Sequence, residues 1–383
     1  MTECRYVNPR SGAEWSISQP LWSAPDDGNY LNLTQATIFD AQEIETSDPS
    51  IWRYSRMLRI EAPPLSLGEG WTPLIEGEWD GAKVAFKCDH MMPSGSFKDR
   101  GVSVMMAYLK GHGIQKILED SSGNAGSSVA TYAARANMDA TIFSPSSAPP
   151  AKLSQMRAMG AELRAIDGPR QNAADAALSE ALKGTFYAGH NIQPFFLEGC
   201  KTVAFELWEQ LGGAPPDHVV VACGQGGNVI GLHIGFKELY AANLINKIPA
   251  IHGVQAINAA PYLASWESNG EPITIDPKPS IADGITSSKG VRVREVLSAC
   301  RESGGRLIGV TELEIINAMR RLHGKGFFVE PTTAAGAAGL SNLISTGVIQ
   351  KNDSIALLLT GTGLKAINSI QESTNQSPNP PST

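Results

Sequence analysis

The chain passes from a predicted strand into a predicted helix through Pro93-Ser94-Gly95-Ser96-Phe97-Lys98-Asp99-Arg100-Gly101. The strand spans residues 83–88, and the apolar helix spans residues 102–109. Small residues at this junction permit a sharp turn and a close approach of the backbone to a flat ligand. Lys98 is therefore well placed to form an imine. A lone lysine at a helix start is more often a solvated side chain, so three further stretches have to decide between the two interpretations.

The composition is that of a globular protein large enough for two domains. The chain has 383 residues, of which 42% are hydrophobic and 18% are charged, and that length permits a sizeable core. The formal net charge of −7 argues against nucleic acid or an acidic membrane surface as a partner. No apolar run is long enough to span a bilayer. We therefore expect a cytoplasmic protein that acts on a small molecule.

The cysteines predict neither a metal site nor a disulfide framework. There are five, an odd number, and no two of them have the spacing of a metal-binding pair. They are Cys4, Cys88, Cys200, Cys223 and Cys300. Scattered cysteines of this kind are typical of reduced thiols in the cytosol.

Strand-like and helix-like segments alternate after Lys98. Strands are predicted over residues 116–119, 141–144, 163–166, 186–188, 218–223, 251–255, 307–310 and 355–360. Helices are predicted over residues 51–58, 125–136, 151–159, 172–182 and 197–211. Strict alternation indicates an α/β fold with parallel or mixed sheets that helices cover on both faces. The Ser/Asn/Pro-rich tail, residues 371–383, is expected to be disordered.

The second stretch, Ser121-Ser122-Gly123-Asn124-Ala125, follows a strand and starts a helix. Unpaired backbone N–H groups at a helix start attract an anion. The alternative is an ordinary helix cap with Ser122 or Asn124 as the capping residue.

The third stretch, Cys223-Gly224-Gln225-Gly226-Gly227-Asn228, also joins a strand to a helix. Repeated glycines let several amides converge on a phosphate at the positive end of the helix. A dinucleotide loop would need its third glycine at position 229, which is Val229. The stretch therefore favours a phosphate that is not part of a dinucleotide, and it counts against a Rossmann-type oxidoreductase.

The fourth stretch, Leu359-Thr360-Gly361-Thr362-Gly363, ends the last predicted strand. Together the four stretches resemble the motifs of threonine synthases and related pyridoxal-phosphate (PLP) enzymes of fold type II, the tryptophan-synthase-β type. The resemblance covers residues 65–365. It implies that Lys98 is the Schiff-base lysine and that Asn124 binds the 3′-oxygen of the cofactor. It also implies that residues 224–228 (Gly224, Gln225, Gly226, Gly227 and Asn228) bind the cofactor phosphate.

The resemblance further implies that Thr360 lies at the pyridine nitrogen and that the loop of Ser122, Gly123 and Ala125 grips the substrate carboxylate. A hydroxyl partner leaves the ring a milder electron sink than a carboxylate does, which suits elimination or replacement. Lys98 would also remove the α-proton of the substrate. Glu330 matches a glutamate near the site in relatives, and its role stays open.

The implied architecture has two lobes with the cofactor in the cleft between them. The predicted parts are an N-terminal arm (1–60), a large PLP-binding domain (61–100 and 191–370), a small mobile domain (101–190) and the disordered tail (371–383). Relatives are usually homodimers, so a homodimer is expected. Some relatives carry a zinc ribbon in the arm, but only Cys4 is present there, so no metal is predicted.

The chain departs from threonine synthases where those enzymes bind the phosphate of O-phosphohomoserine. Its sequence there is His190-Asn191-Ile192-Gln193-Pro194-Phe195-Phe196-Leu197-Glu198-Gly199, with Phe196 at the position of an arginine. Loss of an Arg–phosphate contact removes roughly 1.5–3 kcal/mol of binding free energy. In addition, Ile281-Ala282-Asp283-Gly284 resembles a stretch of threonine/serine dehydratases more than that of threonine synthases.

The sequence therefore predicts a threonine-synthase-like lyase or synthase with an altered substrate pocket. The reaction would be β-elimination or β-replacement on an amino acid with a hydroxyl-type or activated leaving group. Phe195, Phe196 and His190 would shape the pocket, and His190 is either a proton donor to the leaving group or a structural histidine. Authentic threonine synthesis and threonine or serine dehydration are the alternatives. A non-catalytic relative is disfavoured because all four motifs are intact.

Overall fold

A computed structural model describes residues 3–34, 39–148, 150–168 and 170–375. The chain forms two compact units, each built from segments that are distant in sequence. The first unit comprises Met1–Thr72, Met92–Pro215 and Gln225–Ile248. The second comprises Pro73–Met91, Pro216–Gly224 and Pro249–Thr383. These bounds differ from those of the domains expected from the sequence, which remain a prediction.

The strands, in chain order, are β1 (Arg5–Val7), β2 (Glu14–Ser16), β3 (Asn32–Leu33), β4 (Leu74–Trp79), β5 (Ala82–Lys87), β6 (Lys116–Glu119), β7 (Asp139–Pro145), β8 (Glu162–Ile166), β9 (Phe186–Tyr187), β10 (His218–Ala222), β11 (Ala250–Ala256), β12 (Leu307–Val310) and β13 (Ile355–Leu358). The eight strands predicted after Lys98 all form, with bounds within two residues of those predicted. The apolar runs that identified them are long enough to be buried as parallel strands.

The α-helices, in chain order, are α1 (Lys98–Gly111), α2 (Asn124–Ala136), α3 (Pro150–Ala158), α4 (Arg170–Ala181), α5 (Pro194–Gln210), α6 (Gly227–Ala241), α7 (Pro261–Glu267), α8 (Val293–Glu302), α9 (Glu312–Gly324), α10 (Pro331–Ser345) and α11 (Ile367–Asn375). The helix predicted over residues 51–58 is instead a 3-10 helix, Ile51–Met57. Tyr54 leaves helical geometry inside it, with φ −100° and ψ 18°.

Two sheets of the first unit differ in the direction of their strands. The strand order β8-β7-β6-β9 is parallel throughout. The small sheet β2-β1-β3 in the N-terminal segment is antiparallel, and the sequence analysis did not predict it. Its strands are only two or three residues long, which is too short for an alternating pattern to stand out.

The second unit is built on the sheet β12-β11-β10-β13-β5-β4. All of its pairings are parallel except that of β4 with β5. The mixed α/β class predicted from the sequence is therefore confirmed. The edge strand β4 was missed because four of its six residues are exposed and give no apolar pattern. Helix α10 packs against β10, β11, β12 and β13 over a core that includes Val220 and Leu357.

The prediction of a disordered tail is wrong for residues 371–375. Helix α11 continues to Asn375, and the side chain of Ile370 is part of the core of the second unit. Ser373, one turn further on, is also buried. Apolar anchoring of one helix face outweighs the polar composition that suggested disorder. Residues 376–383 lie outside the described part of the chain.

In the first unit, helices α1, α5 and α6 pack at unusually short distances. A Cβ atom added at Gly199 of α5 would lie 1.9 Å from the carbonyl oxygen of Arg100 in α1. A Cβ atom added at Gly235 of α6 would lie 2.5 Å from the carbonyl oxygen of Lys201. Only glycine permits these approaches, so the helix that begins at Lys98 is held directly against α5.

We expect Gly199→Ala to destabilise the protein, because the added methyl group overlaps a backbone oxygen that cannot move away alone. Overpacking of this kind costs roughly 1–3 kcal/mol of unfolding free energy. The matched control is Gly324→Ala in α9, where nothing lies within 4 Å of the added Cβ. Urea denaturation of both variants measures the difference. Equal unfolding free energies for the two variants would contradict the close approach of α1 and α5.

Candidate active site

Lys98 is the first residue of α1, and the turn before it is tightly held. Gly95 adopts φ 87°, a conformation that favours glycine. Ser94 and Ser96 are buried, whereas Lys98 is half-buried. The Lys98 Nζ atom lies 4.8 Å from the ring centroid of Phe97 and 5.3 Å from that of Phe196. The Lys98 amine therefore lies beside two aromatic rings, those of Phe97 and Phe196.

The Asp99 carboxylate fixes this turn from inside. One of its oxygens accepts hydrogen bonds from the Ser94 and Ser128 hydroxyls at 2.5 and 2.6 Å. The other oxygen accepts the Ser94 backbone N–H at 2.6 Å. Because Ser128 belongs to α2, Asp99 ties the start of α1 to that helix. Sequence reasoning did not single out Asp99, although a buried acid next to the lysine is the kind of signal that could have identified it.

The predicted anion site at the start of α2 is not an ordinary side-chain cap. The capping residue is Gly123, which has no side chain to cap the helix, and the Ser121 hydroxyl accepts the Gly123 backbone N–H at 3.3 Å. The capping roles considered for Ser122 and Asn124 are therefore wrong. Ser122, Gly123 and Asn124 are half-buried, and Ala125 is buried. Backbone N–H groups at this helix start remain suited to a carboxylate or phosphate.

The chain crosses from the second unit to the first within the predicted phosphate loop. Gly224 belongs to the second unit, where an added Cβ would lie 3.0 Å from the Gly284 carbonyl oxygen. Gln225, Gly226, Gly227 and Asn228 belong to the first unit. Gly226 precedes α6 with φ 82°, which favours glycine, and no side chain caps this helix. The start of α6 is therefore a glycine-capped helix end, and its binding of a phosphate stays a prediction.

Buried polar atoms in this part of the first unit fit a bound phosphate-bearing cofactor. Asn228 is 2% exposed, and neither of its amide atoms has a hydrogen-bond partner within the described residues. The Ser96 hydroxyl is in the same situation. An unpaired buried polar group costs about 1–3 kcal/mol, so such groups indicate a ligand that supplies the missing partners. The Asn228 amide and the Ser96 hydroxyl can donate hydrogen bonds to the oxygens of a phosphate. The expected cofactor is therefore chemically compatible with this site.

Phe196 is the residue that joins the lysine, the phosphate loop and His190. It is 1% exposed. Its ring would lie 2.3 Å from a Cβ at Gly101 and 2.9 Å from a Cβ at Gly227. Its centroid is 5.4 Å from that of His190. The structure therefore brings Lys98, Gly227 and His190 together around one apolar ring.

His190 contacts an acid that sequence reasoning missed. Its Nδ1 atom lies 2.9 Å from Glu119 Oε1, and its backbone N–H donates to Glu119 Oε2 at 3.3 Å. Burial raises the pKa of Glu119 to about 8, against the lowering effects of the His190 N–H and of Lys98. Burial, and then the charge of Lys98, hold the pKa of His190 well below its usual value. An acidic residue at the carboxyl end of a strand, directly after the apolar pair Ile117-Leu118, was the available signal for Glu119.

Thr360 lies in the second unit, two residues after β13. Its hydroxyl is 3.0 Å from that of Thr333 at the start of α10, and Thr333 accepts the Gly361 N–H at 2.9 Å. Glu330, the capping residue of α10, is 1% exposed and donates its backbone N–H to the Gly361 carbonyl oxygen at 3.1 Å. The loop after β13 is thus fixed to the start of α10, with the Thr360 side chain held at a defined position.

Within the described residues, no helix is long and apolar enough to cross a membrane.

Sequence comparison gives matches along nearly the whole chain. A family model described as pyridoxal-phosphate dependent enzyme matches residues 65–361. Threonine synthase of Methanosarcina acetivorans is 31% identical over 367 residues, covering 92% of this chain and 90% of that protein. Threonine synthase of Methanocaldococcus jannaschii is 33% identical over 375 residues, covering 93% and 91%.

Solved structures with a similar fold include two amino-acid lyases. A fungal L-serine ammonia-lyase from Rhizomucor miehei superposes with a TM-score of 0.71 at 19% identity, covering 80% of this chain and 98% of that chain. The T.th. threonine deaminase gives a TM-score of 0.62 at 26% identity, covering 76% of this chain and 92% of that chain. The fold and the four motifs agree with these matches, and the chain belongs to the family of pyridoxal-phosphate dependent enzymes, among its threonine-synthase-like members of fold type II.

Proposed function

We propose that the protein catalyses β-elimination or β-replacement on an amino acid with a small hydroxyl-type or activated leaving group, with serine and threonine as the first candidates. The observation that carries this proposal is the position of Phe196. Its buried ring lies beside Lys98 Nζ and against the start of α6. At this place threonine synthases are expected to have an arginine for the substrate phosphate. An apolar ring offers no partner to a phosphate dianion.

The cofactor, bound at this site, supplies the electron sink for the α-carbon of the substrate. We propose that residues 225–228 and Gly224 bind its phosphate, that Asn124 binds its ring oxygen and that Thr360 faces its ring nitrogen. The unpaired amide of Asn228 and hydroxyl of Ser96 support the phosphate assignment. The amides of Ser122, Gly123 and Ala125 at the start of α2 would bind the substrate carboxylate, because backbone N–H groups at a helix start attract an anion.

We assign to Lys98 the removal of the α-proton. A base for this step needs an unprotonated amine within reach of the substrate. The aromatic surroundings of Lys98 and its half-buried position support this role, since partial desolvation disfavours the charged form of a lysine. The Asp99 carboxylate accepts three hydrogen bonds, and these fix the turn that precedes Lys98.

Threonine synthesis from O-phosphohomoserine is the second candidate. The observation in its favour is the identity of 31–33% to threonine synthases over more than nine-tenths of the chain. Other cationic side chains would then have to bind the substrate phosphate in place of an arginine at position 196.

We further propose a cytoplasmic homodimer. The odd number and scattered spacing of Cys4, Cys88, Cys200, Cys223 and Cys300 are typical of intracellular proteins and support this location.

Lys98→Ala is expected to abolish covalent attachment of the cofactor and to lower kcat by roughly 100-fold to 10,000-fold, the range of a lost acid–base group. Borohydride reduction followed by peptide mass spectrometry locates the attachment. The control is Lys110→Ala, an exposed lysine in the last turn of the same helix. Attachment at a lysine other than Lys98 would refute the assignment.

The purified protein should release 2-keto acid from serine or threonine and little phosphate from O-phosphohomoserine. Parallel assays of the three substrates, each with keto acid and phosphate detection, test this. Phosphate release with formation of threonine would show that the enzyme is a threonine synthase despite Phe196.

Phe196→Arg should raise the affinity for O-phosphohomoserine by about 10-fold to 100-fold, the effect of one charge-assisted contact. Phe196→Met is the matched control, because it changes the shape of the wall without adding charge. Binding is followed through the cofactor absorbance, which also reports whether each variant retains its cofactor. Equal affinities of the two variants would argue that position 196 does not face the substrate phosphate.

A further inference from the structure

Glu119 and His190 form a buried, hydrogen-bonded pair in the first unit. Glu119 is the last residue of β6 and is 0% exposed, and His190 is 6% exposed. Both carboxyl oxygens of Glu119 are used by the same residue: Oε1 faces Nδ1 at 2.9 Å, and Oε2 accepts the backbone N–H at 3.3 Å. This double contact fixes the imidazole plane and occupies Nδ1. Nε2 is therefore the ring nitrogen that is available to a ligand.

The arrangement matches a neutral pair that shares one acidic proton. Burial raises the pKa of Glu119 to about 8, so its carboxyl is mostly protonated at neutral pH. The pKa of His190 is lowered by burial and by the charges of Lys98 and Arg170, while Asp120 opposes them. A neutral carboxylic acid satisfies both contacts, because its O–H donates to Nδ1 and its carbonyl oxygen accepts the backbone N–H. The imidazole is then the tautomer with hydrogen on Nε2.

The pair lies beside the proposed base. The His190 ring and the Lys98 amine are 5.4 and 5.3 Å from the centroid of Phe196. The charge of Lys98 also acts on both members of the pair. Under the proposed function, a substrate whose α-carbon is served by Lys98 has its β-substituent placed on the His190 side of this ring.

We propose that His190 protonates the departing hydroxyl of the substrate through Nε2, with Glu119 as the positioning residue that resupplies the proton at Nδ1. This inference rests on the proposed function, because it concerns the leaving group of the same reaction. It explains why an apolar ring and a neutral hydrogen-bonded pair stand where a phosphate leaving group would require cationic partners.

The protons balance within the site. As the Cβ–O bond breaks, its electron pair stays on oxygen, which takes the hydrogen of His190 Nε2 and leaves as water. The Glu119 O–H proton moves to Nδ1, so the imidazole stays neutral and Glu119 becomes a carboxylate. Lys98 has taken the α-proton, and the pair of electrons left behind forms the Cα–Cβ double bond. Transfer of the proton from the Lys98 ammonium to the bare His190 Nε2, directly or through water, with return of the Nδ1 proton to the Glu119 carboxylate, restores the starting state.

The decisive comparison uses two leaving groups. Serine loses a hydroxyl that needs a proton, whereas 3-chloroalanine loses chloride, which needs none. We expect His190→Asn and Glu119→Gln to lower kcat for serine by about 100-fold or more, the usual contribution of a general acid. With 3-chloroalanine the same variants should keep kcat within about threefold of wild type, far less than the loss expected from a missing general acid. This second reaction also reports that the variants are folded and carry their cofactor.

Glu119→Gln separates positioning from proton supply. Its amide can donate to Nδ1 and accept the backbone N–H, so the tautomer survives, but it cannot release a proton. Nitrogen NMR of protein labelled at histidine should show hydrogen on His190 Nε2 in wild type and in Glu119→Gln at pH 7. Hydrogen on Nδ1, or a charged imidazole, would overturn the proposal. So would wild-type activity of Glu119→Gln on serine.

The pH dependence gives an independent test. Glu119 must be protonated for turnover, and its raised pKa of about 8 means that it is protonated below that pH and loses the proton above it. The kcat for serine should therefore fall as pH rises through about 8, and the kcat for 3-chloroalanine should not. The charged groups that act on the pair are Lys98, Asp120 and Arg170. If kcat falls equally for both substrates at alkaline pH, the fall belongs to one of these three groups and not to Glu119.

A wrong substrate class and a wrong role for the Glu119–His190 pair would give different results. If wild type attacks neither serine nor threonine, the substrate class is wrong. If wild type attacks serine and 3-chloroalanine, and the variants lose both activities equally, the substrate class stands and the pair is structural.

Discussion

The buried carboxylate of Asp99 is the constraint on which the site depends. It lies directly after Lys98 and takes three short hydrogen bonds, two from Ser94 and one from Ser128. A buried charge is tolerated only when hydrogen bonds replace its lost solvation. The turn before Lys98 and helix α2 therefore cannot separate from α1 without exposing an uncompensated charge. The lysine and the anion-binding start of α2 keep their relative positions for this reason.

A second buried network extends this constraint to α5. Arg100 donates two hydrogen bonds to Glu206, at 2.5 and 2.8 Å, and both side chains are fully buried. Glu69 collects hydrogen bonds from Trp52, Ser103 and Tyr132, and so joins the N-terminal segment to α1 and α2. Removing one partner from a buried pair costs roughly 3–5 kcal/mol. Together with the close approach at Gly199, these pairs specify one arrangement of the helices that carry Lys98 and Phe196.

The pocket chemistry follows from what this arrangement leaves beside the lysine. Phe196, His190 and Glu119 form an apolar and neutral surface where a phosphate-binding enzyme would place positive charge. A neutral acid–imidazole pair suits a leaving group that must be protonated, and a cationic site suits one that leaves as phosphate. The family membership and the proposed substrate class are therefore compatible, since the residues proposed to bind the cofactor differ from those proposed to serve the leaving group.

The α/β class, the parallel strands after Lys98, the lysine and the two glycine-rich helix starts could all be predicted from the sequence alone. These depend on local periodicity and on glycines at fixed places, which can be read residue by residue. Family resemblance added the cofactor. The sequence could not reveal β1–β4 because short or exposed strands carry no apolar pattern, and it missed the helical packing that orders residues 371–375. Only the tertiary structure brought Glu119 to His190 across 71 residues and Ser128 to the Asp99 carboxylate across 29 residues. Such pairings arise from long-range packing and burial, which decide protonation and position and leave no local signature in the chain.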